Sequence, residues 1–301
     1  MALRPPALRA GDGVALISPA GPVDADAVQR GADRLAAWGF RPVVGAHALE
    51  RTHYLAGSDA GRCADFAAAI EDPSIRAIVC TRGGYGSQRI VDDVPFEMLR
   101  DDPKLLIGFS DITALHLALW RRAGLASLHG PGGTFDFAPG AAEVLNSCLT
   151  DPDYVVTVAA DPAEDGYDVR VPGVASGPLL GGNLSLLAAS VGTVDLVPLQ
   201  GAVLLLEEVG EQPYRIDRML TQLLRSGAFR GVAGIAIGQL TECDGRWTAA
   251  EVFADRLGDL GVPIVGGLPV GHGQGVRIVP LGTTCVLDAG AGTLRAKSPV
   301  S

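Results

Sequence analysis

The stretch LLIGFSDITALHLALWRRAG, residues 105–124, predicts a strand that is followed directly by a helix. Residues 105–109 form an apolar, strand-like run, and the residues from Asp111 onward carry a helical pattern. Ser110 lies at the junction. A serine at this point is either the N-cap of the helix or a nucleophile held at a strand-to-helix turn.

The same alternation of apolar runs and helical patterns extends through the first half of the chain. Further strand-like runs are GVALISPAG (13–21), RPVVGA (41–46) and IRAIVC (75–80). Helical patterns occupy 24–40, with Val28, Ala32, Leu35 and Ala36 on one face, and 61–72, which Ser58 could cap. Repeated units of this kind predict an α/β fold, with a parallel sheet covered by helices on both faces.

The second half of the chain follows a different pattern. AVLLLEEV (202–209) is an apolar strand, a helical pattern runs from Tyr214 to Ser226, and residues 276–298 look like short antiparallel strands. This favours a smaller mixed α+β domain of barrel-like β content. Periodicity weakens between these halves, so we expect an N-terminal domain at 1–134, a connection at 135–172 and a C-terminal domain at 173–301.

Composition excludes several classes of function. The 301 residues are 48% hydrophobic and 19% charged, a globular balance, and the formal charge of −10 disfavours nucleic acid and anionic lipid as partners. We expect no transmembrane helix, because no apolar run reaches eighteen residues, and no signal peptide. The five scattered cysteines suggest reduced thiols in a cytosolic protein and no metal site.

The local sequence around Ser110 favours capping, because serine is a preferred N-cap residue and Asp111 suits the first turn of a helix. In addition, G-F-S-D is not the G-x-S-x-G pattern of α/β-hydrolases. A nucleophilic serine also needs a base, usually histidine. His116 cannot bend back to the cap from six residues along the same helix. His272 stands in the glycine-rich loop GLPVGHGQG, where it is either a base or a loop histidine of no consequence. The remaining histidines are His47 and His53, in a polar stretch, and His129 in SLHGP.

A base of this kind needs a third group that holds its tautomer. Glu207 and Glu208 close the apolar run AVLLL. Alternation along a strand places them on opposite faces, so one can point into a site while the other meets solvent. Ordinary solvated charges at a strand end are the alternative.

The segment TRGGYGSQR (81–89) follows the strand IRAIVC. Gly83, Gly84 and Gly86 permit a tight turn with exposed N–H groups. The spacing matches neither common phosphate-binding motif, so an oxyanion or carboxylate site is the more economical interpretation. Arg82 is then a partner for a substrate carboxylate or an ion-pairing loop residue.

Seven collinear segments together resemble the LD-carboxypeptidases, a serine peptidase family that also includes microcin C immunity proteins. They are GDGVALISPAGPV, LAGSDAGRCADFAAAIEDPSIRAIVCTRGGYGSQRIV, LLIGFSDITALHLAL, SLHGP, GGNLSLLAASVGT, LLLEEVGEQPYRIDRML and GLPVGHG. The resemblance implies a flavodoxin-like N-terminal domain that carries the nucleophile and a barrel-like C-terminal domain that carries the other two members of a catalytic triad.

Residue by residue, the resemblance assigns the nucleophile to Ser110, the glutamate to Glu207 and the histidine to His272. Glu208 is the alternative to Glu207, one residue away. The family's oxyanion hole falls near Gly84, with the N–H of Asp111 as the second donor. The resemblance further implies that no metal or organic cofactor is needed, and that the protein is cytoplasmic and a homodimer.

The family's substrate is murein tetrapeptide, from which terminal D-Ala is removed at an L–D bond during peptidoglycan recycling. Arg82 and Tyr85 are the candidates that would bind this small peptide. One alternative is an immunity-type peptidase that cleaves an aminoacyl-nucleotide and needs an aromatic ring to stack the base. Trp247 is the candidate ring, although packing at a helix start is the simpler role for it. A second alternative is a non-enzymatic module that binds a small anion.

Overall fold

The computed structural model describes residues 2–131, 140–196 and 199–301. The chain divides into two compact units, one formed by residues 2–154 with 298–301 and the other by residues 155–297. The division lies between Tyr154 and Val155, inside the range 135–172 that the sequence predicts as a connection. Residues 132–139, which include the start of that range, lie outside the described residues.

The first unit is built from alternating strands and helices, as the apolar runs predict. Its strands are β1 (Gly13–Ile17), β2 (Arg41–Val44), β3 (Ile75–Cys80), β4 (Leu105–Gly108) and β5 (Ser127–His129). Its helices are α1 (Ala25–Ala37), α2 (Asp59–Glu71), α3 (Ser87–Ile90), α4 (Thr113–Ala123) and α5 (Ala141–Thr150), with 3₁₀ turns at Phe96–Arg100 and Ser110–Ile112. These strands lie in the order β5-β4-β3-β1-β2, and each neighbouring pair is parallel.

A hydrophobic core lies between this sheet and its helices. It includes Ile17 and Ile78 from the strands and Phe66 and Leu115 from the helices. Each such side chain, removed from water, contributes roughly 2 kcal/mol to folding. Helix α2 begins as expected, since the Ser58 hydroxyl accepts the N–H of Gly61 at 3.0 Å.

The face of α1 shows one difference from the predicted pattern. Val28, Ala32 and Leu35 are buried, as the helical spacing predicts. Ala36 is exposed, and Gly31 is buried in its place. The buried face therefore includes Gly31 and not Ala36, so it lies slightly earlier on the helix than the residue types suggest.

The second unit is a mixed α+β structure around one large sheet. Its strands are β6 (Val155–Ala159), β7 (Arg170–Val171), β8 (Val174–Asn183), β9 (Val203–Val209), β10 (Gly234–Thr241), β11 (Ile264–Val265), β12 (Val279–Leu281), β13 (Thr284–Asp288) and β14 (Thr293–Lys297). Its helices are α6 (Leu184–Ala189), α7 (Pro213–Ser226) and α8 (Ala249–Leu257). Eight of these strands form the sheet, in the order β6-β14-β13-β8-β9-β10-β11-β7, and β12 is not part of it.

Strand β8 joins an antiparallel part of this sheet to a parallel part. Its first half, up to Pro178, pairs antiparallel with β13, and its second half, from Leu179, pairs parallel with β9. The antiparallel part packs over the parallel part, since a Cβ at Gly234 would lie 2.7 Å from the Ala175 side chain. The predicted fold class, a parallel α/β domain followed by a mixed domain with barrel-like β content, is confirmed.

Within the described ranges, no helix combines the length and the apolar character needed to cross a lipid bilayer.

Candidate active site

Ser110 lies in a sharp turn between β4 and α4. Its φ angle is +63°, in the left-handed region that residues other than glycine seldom adopt. The preceding Phe109 is extended, and the N–H of Ile112 closes the turn on the Phe109 carbonyl at 3.2 Å. The fold therefore holds a serine in a conformation of stored strain, which is typical of functional turns.

Ser110 does not cap the helix that follows it. The residue that precedes the first turn of α4 is Ile112, and no side chain makes a capping hydrogen bond there. An N-cap residue also needs an extended backbone, whereas Ser110 is left-handed. The capping alternative is therefore wrong, although residue type alone favoured it.

The glycine turn of residues 83–86 packs against Ser110. A Cβ at Gly83 would lie 2.7 Å from Ser110 Cβ and 3.1 Å from its Oγ, so only glycine fits at this position. The Gly83 carbonyl accepts the N–H of Gly21 at 3.1 Å, and Gly84 has a φ angle of +114°. Backbone N–H groups in a turn of this kind can stabilise a developing negative charge.

The end of this turn, at Gly86 and Ser87, is held by hydrogen bonds to two buried charged residues. Asp111 accepts the N–H of Ser87 at 2.8 Å, and burial raises the pKa of the Asp111 carboxyl. The guanidinium of Arg62, whose side chain is fully buried, donates to the carbonyls of Gly86 (2.9 Å) and Pro19 and to the Asp59 carboxylate. Sequence reasoning missed Arg62. The signal that could have identified it is the position of an arginine on the apolar face of α2, four residues before Phe66.

In the second unit, His272 and Glu207 form a hydrogen-bonded pair. His272 Nδ1 lies 2.7 Å from Glu207 Oε2, and the glutamate side chain is fully buried. A carboxylate can only accept, so Nδ1 carries the proton and, in the neutral ring, Nε2 is the acceptor. This is the tautomer that a general base needs.

The environment of His272 raises its pKa. Burial, the largest single influence, lowers the pKa of the imidazole. The hydrogen bond to Glu207 and the negative charges of Glu207 and Glu208 together outweigh burial, so the net shift is upward from the ordinary value of 6.5.

Glycines next to this pair make room for the Glu207 side chain. A Cβ at Gly271 would lie 3.0 Å from Glu207 Oε2. A Cβ at Gly238 would lie 3.0 Å from Glu207 Cβ and 2.2 Å from the Val270 carbonyl oxygen. The glycine-rich sequence around His272 therefore has a physical reason, which is close approach of the loop to β9.

Glu208 is held by a different set of partners. Its Oε2 accepts the N–H and the hydroxyl of Ser185 at 2.8 and 2.6 Å, and its Oε1 accepts the Asn183 amide at 3.0 Å. Both glutamates are buried, so the expectation that one would meet solvent is wrong. Adjacent carboxylates thus point to opposite faces, one to His272 and the other to the start of α6.

The other sequence candidates have ordinary surroundings. His116 is buried with Nε2 2.9 Å from the Gly108 carbonyl, and burial lowers its pKa to about 4. His129 packs edge-on against Phe109 at 6.3 Å between ring centroids. Arg82 and Tyr85 are exposed in the glycine turn. Arg82 donates to the Pro22 carbonyl at 3.1 Å, and Tyr85 packs edge-on against Tyr54 at 5.7 Å.

The cysteines are poor nucleophiles. Four are buried and Cys63 is partly exposed, and burial raises the pKa of every one of their thiols. A thiol with a raised pKa carries little of the reactive thiolate at neutral pH. Over residues 2–131, 140–196 and 199–301, no cluster of three or more His, Cys, Asp or Glu side chains could hold a metal ion.

Comparison with known proteins relates both units to one family. The profile of the LD-carboxypeptidase N-terminal domain matches residues 14–130, and that of the LD-carboxypeptidase C-terminal domain matches residues 176–287.

Individual proteins agree with this match. A Streptomyces coelicolor protein, provisionally named a carboxypeptidase, is 45% identical over 99% of this chain and 97% of its own length. The murein tetrapeptide carboxypeptidase of Pseudomonas aeruginosa is 35% identical over 91% of this chain and 92% of its own. The solved structure of muramoyltetrapeptide carboxypeptidase from Oxalobacter formigenes covers 96% of this chain and 100% of its own, with 27% identity and a TM-score of 0.84.

Proposed function

Because this chain belongs to the LD-carboxypeptidase family and is a serine-type carboxypeptidase, we propose that it removes terminal D-Ala from murein tetrapeptide by cleaving the L–D bond. The 2.7 Å hydrogen bond between His272 and the buried Glu207 carries the proposal, since it prepares the imidazole to act as a general base. The strained turn at Ser110 supports this serine as the nucleophile.

The mechanism follows from these groups. His272 Nε2 takes the proton of Ser110 as Oγ attacks the scissile carbonyl, while Glu207 orients the imidazole and stabilises its charged form. This step requires a hydrogen bond between Ser110 Oγ and His272 Nε2. The N–H groups of Gly84 and Asp111 hold the oxyanion, and each such donor is worth about 3 kcal/mol in the transition state. His272 then protonates the leaving amine, and water hydrolyses the acyl-enzyme.

A carboxypeptidase must also bind the free carboxylate of its substrate. Arg82 is the proposed partner, because its guanidinium is exposed beside the glycine turn that packs on Ser110. Tyr85 is 50% exposed in the same turn and offers a ring face and a hydroxyl to a bound peptide.

We further propose a cytoplasmic homodimer that acts in peptidoglycan recycling. Resemblance to the family supports this assignment. Light scattering on the purified protein tests the dimer, and fractionation of cells tests the compartment.

The decisive experiment is digestion of free murein tetrapeptide, followed by mass spectrometry. The wild-type protein and Ser147→Ala, a matched serine change in α5, should release D-Ala, and Ser110→Ala should not. Undiminished cleavage by Ser110→Ala would remove Ser110 from the role. A serine-directed phosphonate that labels Ser110 would exclude the anion-binding alternative, whereas ligand binding without turnover or labelling would favour it.

One observation keeps an immunity-type substrate in consideration. The Trp247 side chain is 63% exposed, so the expectation that it packs at the start of α8 is wrong. An exposed indole can stack on a nucleobase. Turnover of murein tetrapeptide and of an aminoacyl-nucleotide should therefore be compared side by side, with Trp247→Ala beside the wild type. Preference for the nucleotide that disappears in Trp247→Ala would favour this alternative.

A further inference from the structure

Gln239, a buried residue of β10, bonds to the loop on both sides of His272. Its backbone N–H donates to the Val270 carbonyl at 2.8 Å, two residues before the histidine. Its side-chain Oε1 accepts the N–H of Gly273 at 2.8 Å, and its Nε2 donates to the Gln274 carbonyl at 2.9 Å. One residue thus fixes three backbone groups around the histidine.

Glu164 contributes to the orientation of the Gln239 amide. Gln239 Nε2 donates to Glu164 Oε1 at 2.7 Å. An ionised carboxylate has no proton to donate, so the amide nitrogen must face it, and the amide oxygen must then face the Gly273 N–H. Glu164 and the Gln274 carbonyl therefore favour the same orientation of the amide, with its nitrogen toward both acceptors.

The segment that carries Glu164 is itself anchored to the end of β11. Asp161 N–H donates to the Gly267 carbonyl at 2.8 Å, and Gly266 N–H donates to the Val169 carbonyl at 3.0 Å. The approach is so close that a Cβ at Gly266 would lie 2.0 Å from the Gly166 carbonyl oxygen. Glu164 is therefore presented to Gln239 from a fixed backbone.

The loop has a physical need for such a support. Gly271 and Gly275 have φ angles of +147° and +69°, conformations that glycine adopts freely and others resist. A loop with this many glycines loses much conformational entropy when it is ordered. Hydrogen bonds from Gln239 of strand β10 to this loop offset part of that loss of entropy.

We propose that Gln239, oriented by Glu164, is a positioning residue that holds the His272 loop so that the imidazole keeps its hydrogen bond to Glu207. The inference rests on the proposed role of His272 as general base. Gln239 acts through the loop and touches no reacting atom.

The first test uses two variants of Gln239. Gln239→Glu keeps an acceptor for the Gly273 N–H but turns an oxygen toward both Glu164 and the Gln274 carbonyl. Gln239→Leu removes both side-chain contacts and adds no charge. Because small misplacements of catalytic groups are costly, we expect kcat to fall about 10- to 100-fold in both variants, with KM changed less than about threefold.

A rescue variant and a control make the test specific. Glu164→Gln combined with Gln239→Glu restores a donor and an acceptor between positions 164 and 239, so it should recover part of the lost kcat. Glu164→Gln alone should have little effect, because its amide oxygen can still accept. Gln222→Glu changes an amide of α7 that donates to the Ala188 carbonyl at 3.1 Å, and it should behave like the wild type.

A readout without substrate separates this inference from the proposed function. NMR titration of His272 should show a raised pKa in the wild type and a fall toward the ordinary value in Gln239→Leu, as the bond to Glu207 loosens. This result stands even if murein tetrapeptide proves not to be the substrate. An unchanged kcat in Gln239→Leu would overturn the inference. So would a loss of activity that tracks only thermal unfolding while the His272 pKa in the folded protein stays unchanged.

Discussion

The proposed role of His272 predicts that activity and stability depend on pH in opposite directions. The proposed general base must be neutral, so we expect activity only at a pH above the raised pKa of His272. The stability gained from the His272–Glu207 ion pair is fully present below the ordinary histidine pKa, and it is lost as the pH rises through the raised pKa. The enzyme therefore works in the range where this pair stabilises it least.

Replacing Glu207 by Gln should change both pH profiles. The variant removes the negative charge and leaves only a neutral amide oxygen as acceptor, so it weakens the influences that raise the pKa of His272, and the acid limb of kcat/KM should move to lower pH. We expect kcat to fall by roughly 10³- to 10⁴-fold, as when a triad carboxylate is neutralised elsewhere. The unfolding free energy should also depend less on pH between the ordinary histidine pKa and the raised pKa of His272 in the wild type.

The measurements are pH–rate profiles and urea unfolding at a series of pH values. An acid limb in Glu207→Gln at the same pH as in the wild type would contradict the assignment of Glu207 as the partner of His272.

At the residue scale, the sequence shows which single residues are candidates for the site, but it does not show which of them contact one another. The glycines around His272 and the polar junction at Ser110 are visible as residue types. The contact between Glu207 and His272 joins residues 65 positions apart, and no local pattern encodes it. Gln239 and Arg62 were not predicted for the same reason. Each forms hydrogen bonds to backbone groups that are far away along the chain.

At the scale of the element, Glu208 connects strand β9 to the start of α6. Its oxygens accept from Ser185, from Asn183 and from the Val209 N–H at 2.9 Å. Burial raises the pKa of this carboxyl, and its donors offset part of that effect. Glu208, which follows the proposed catalytic Glu207, therefore has a structural role.

Glu208→Ala should destabilise the protein without the catalytic loss expected of Glu207. Removal of a buried acceptor from several donors costs about 3 kcal/mol in unfolding free energy. Glu208→Gln, which keeps one oxygen, should cost less. Urea unfolding measures the stability, and kcat is compared on folded protein. If Glu208→Gln lost activity as severely as Glu207→Gln while remaining stable, Glu208 would be the triad member.

Elements with strong local patterns were predicted well. IRAIVC forms β3 with the predicted bounds, and the helical pattern from Tyr214 to Ser226 forms α7 with one extra residue at its start. Strand β8 was not predicted, because its glycines and proline weaken the strand pattern. Those glycines allow close backbone approach, since a Cβ at Gly181 would lie 2.2 Å from the Leu205 carbonyl oxygen.

At the scale of the whole molecule, the last residues of the chain belong to the first unit. Ser298 N–H donates to the Tyr154 carbonyl at 2.9 Å, and Ser301 N–H donates to the Pro5 carbonyl at 2.8 Å. Val300 between them is fully buried. These residues thus close the unit that contains Ser110.

Val300→Ala should lower the unfolding free energy by about 2 kcal/mol, from lost burial and the cavity that remains. Hydrogen exchange followed by mass spectrometry should show reduced protection in β1–β5. Val286→Ala, at a 41% exposed position of β13, is the matched control and should change stability by less than about 0.5 kcal/mol. Equal effects of the two changes would contradict the assignment of Val300 to this unit's core.

Fold class was predictable at this scale, because alternating strands and helices admit few arrangements. The pairing of the last residues with residues near the start was not, since backbone hydrogen bonds over such a separation leave no periodic signal. The domain limits at 134 and 173 remain predictions, which rest on the weakening of periodicity between the two halves of the chain.

The protected cysteines have a practical consequence for spectroscopy. Thiolates add to the double bond of maleimide reagents, and the five native thiols, with their raised pKa values, offer few thiolates at neutral pH. A dye or spin label could therefore be directed to one introduced surface cysteine while the native cysteines stay in place. Such a label would report on its own surroundings during turnover in an otherwise unaltered enzyme.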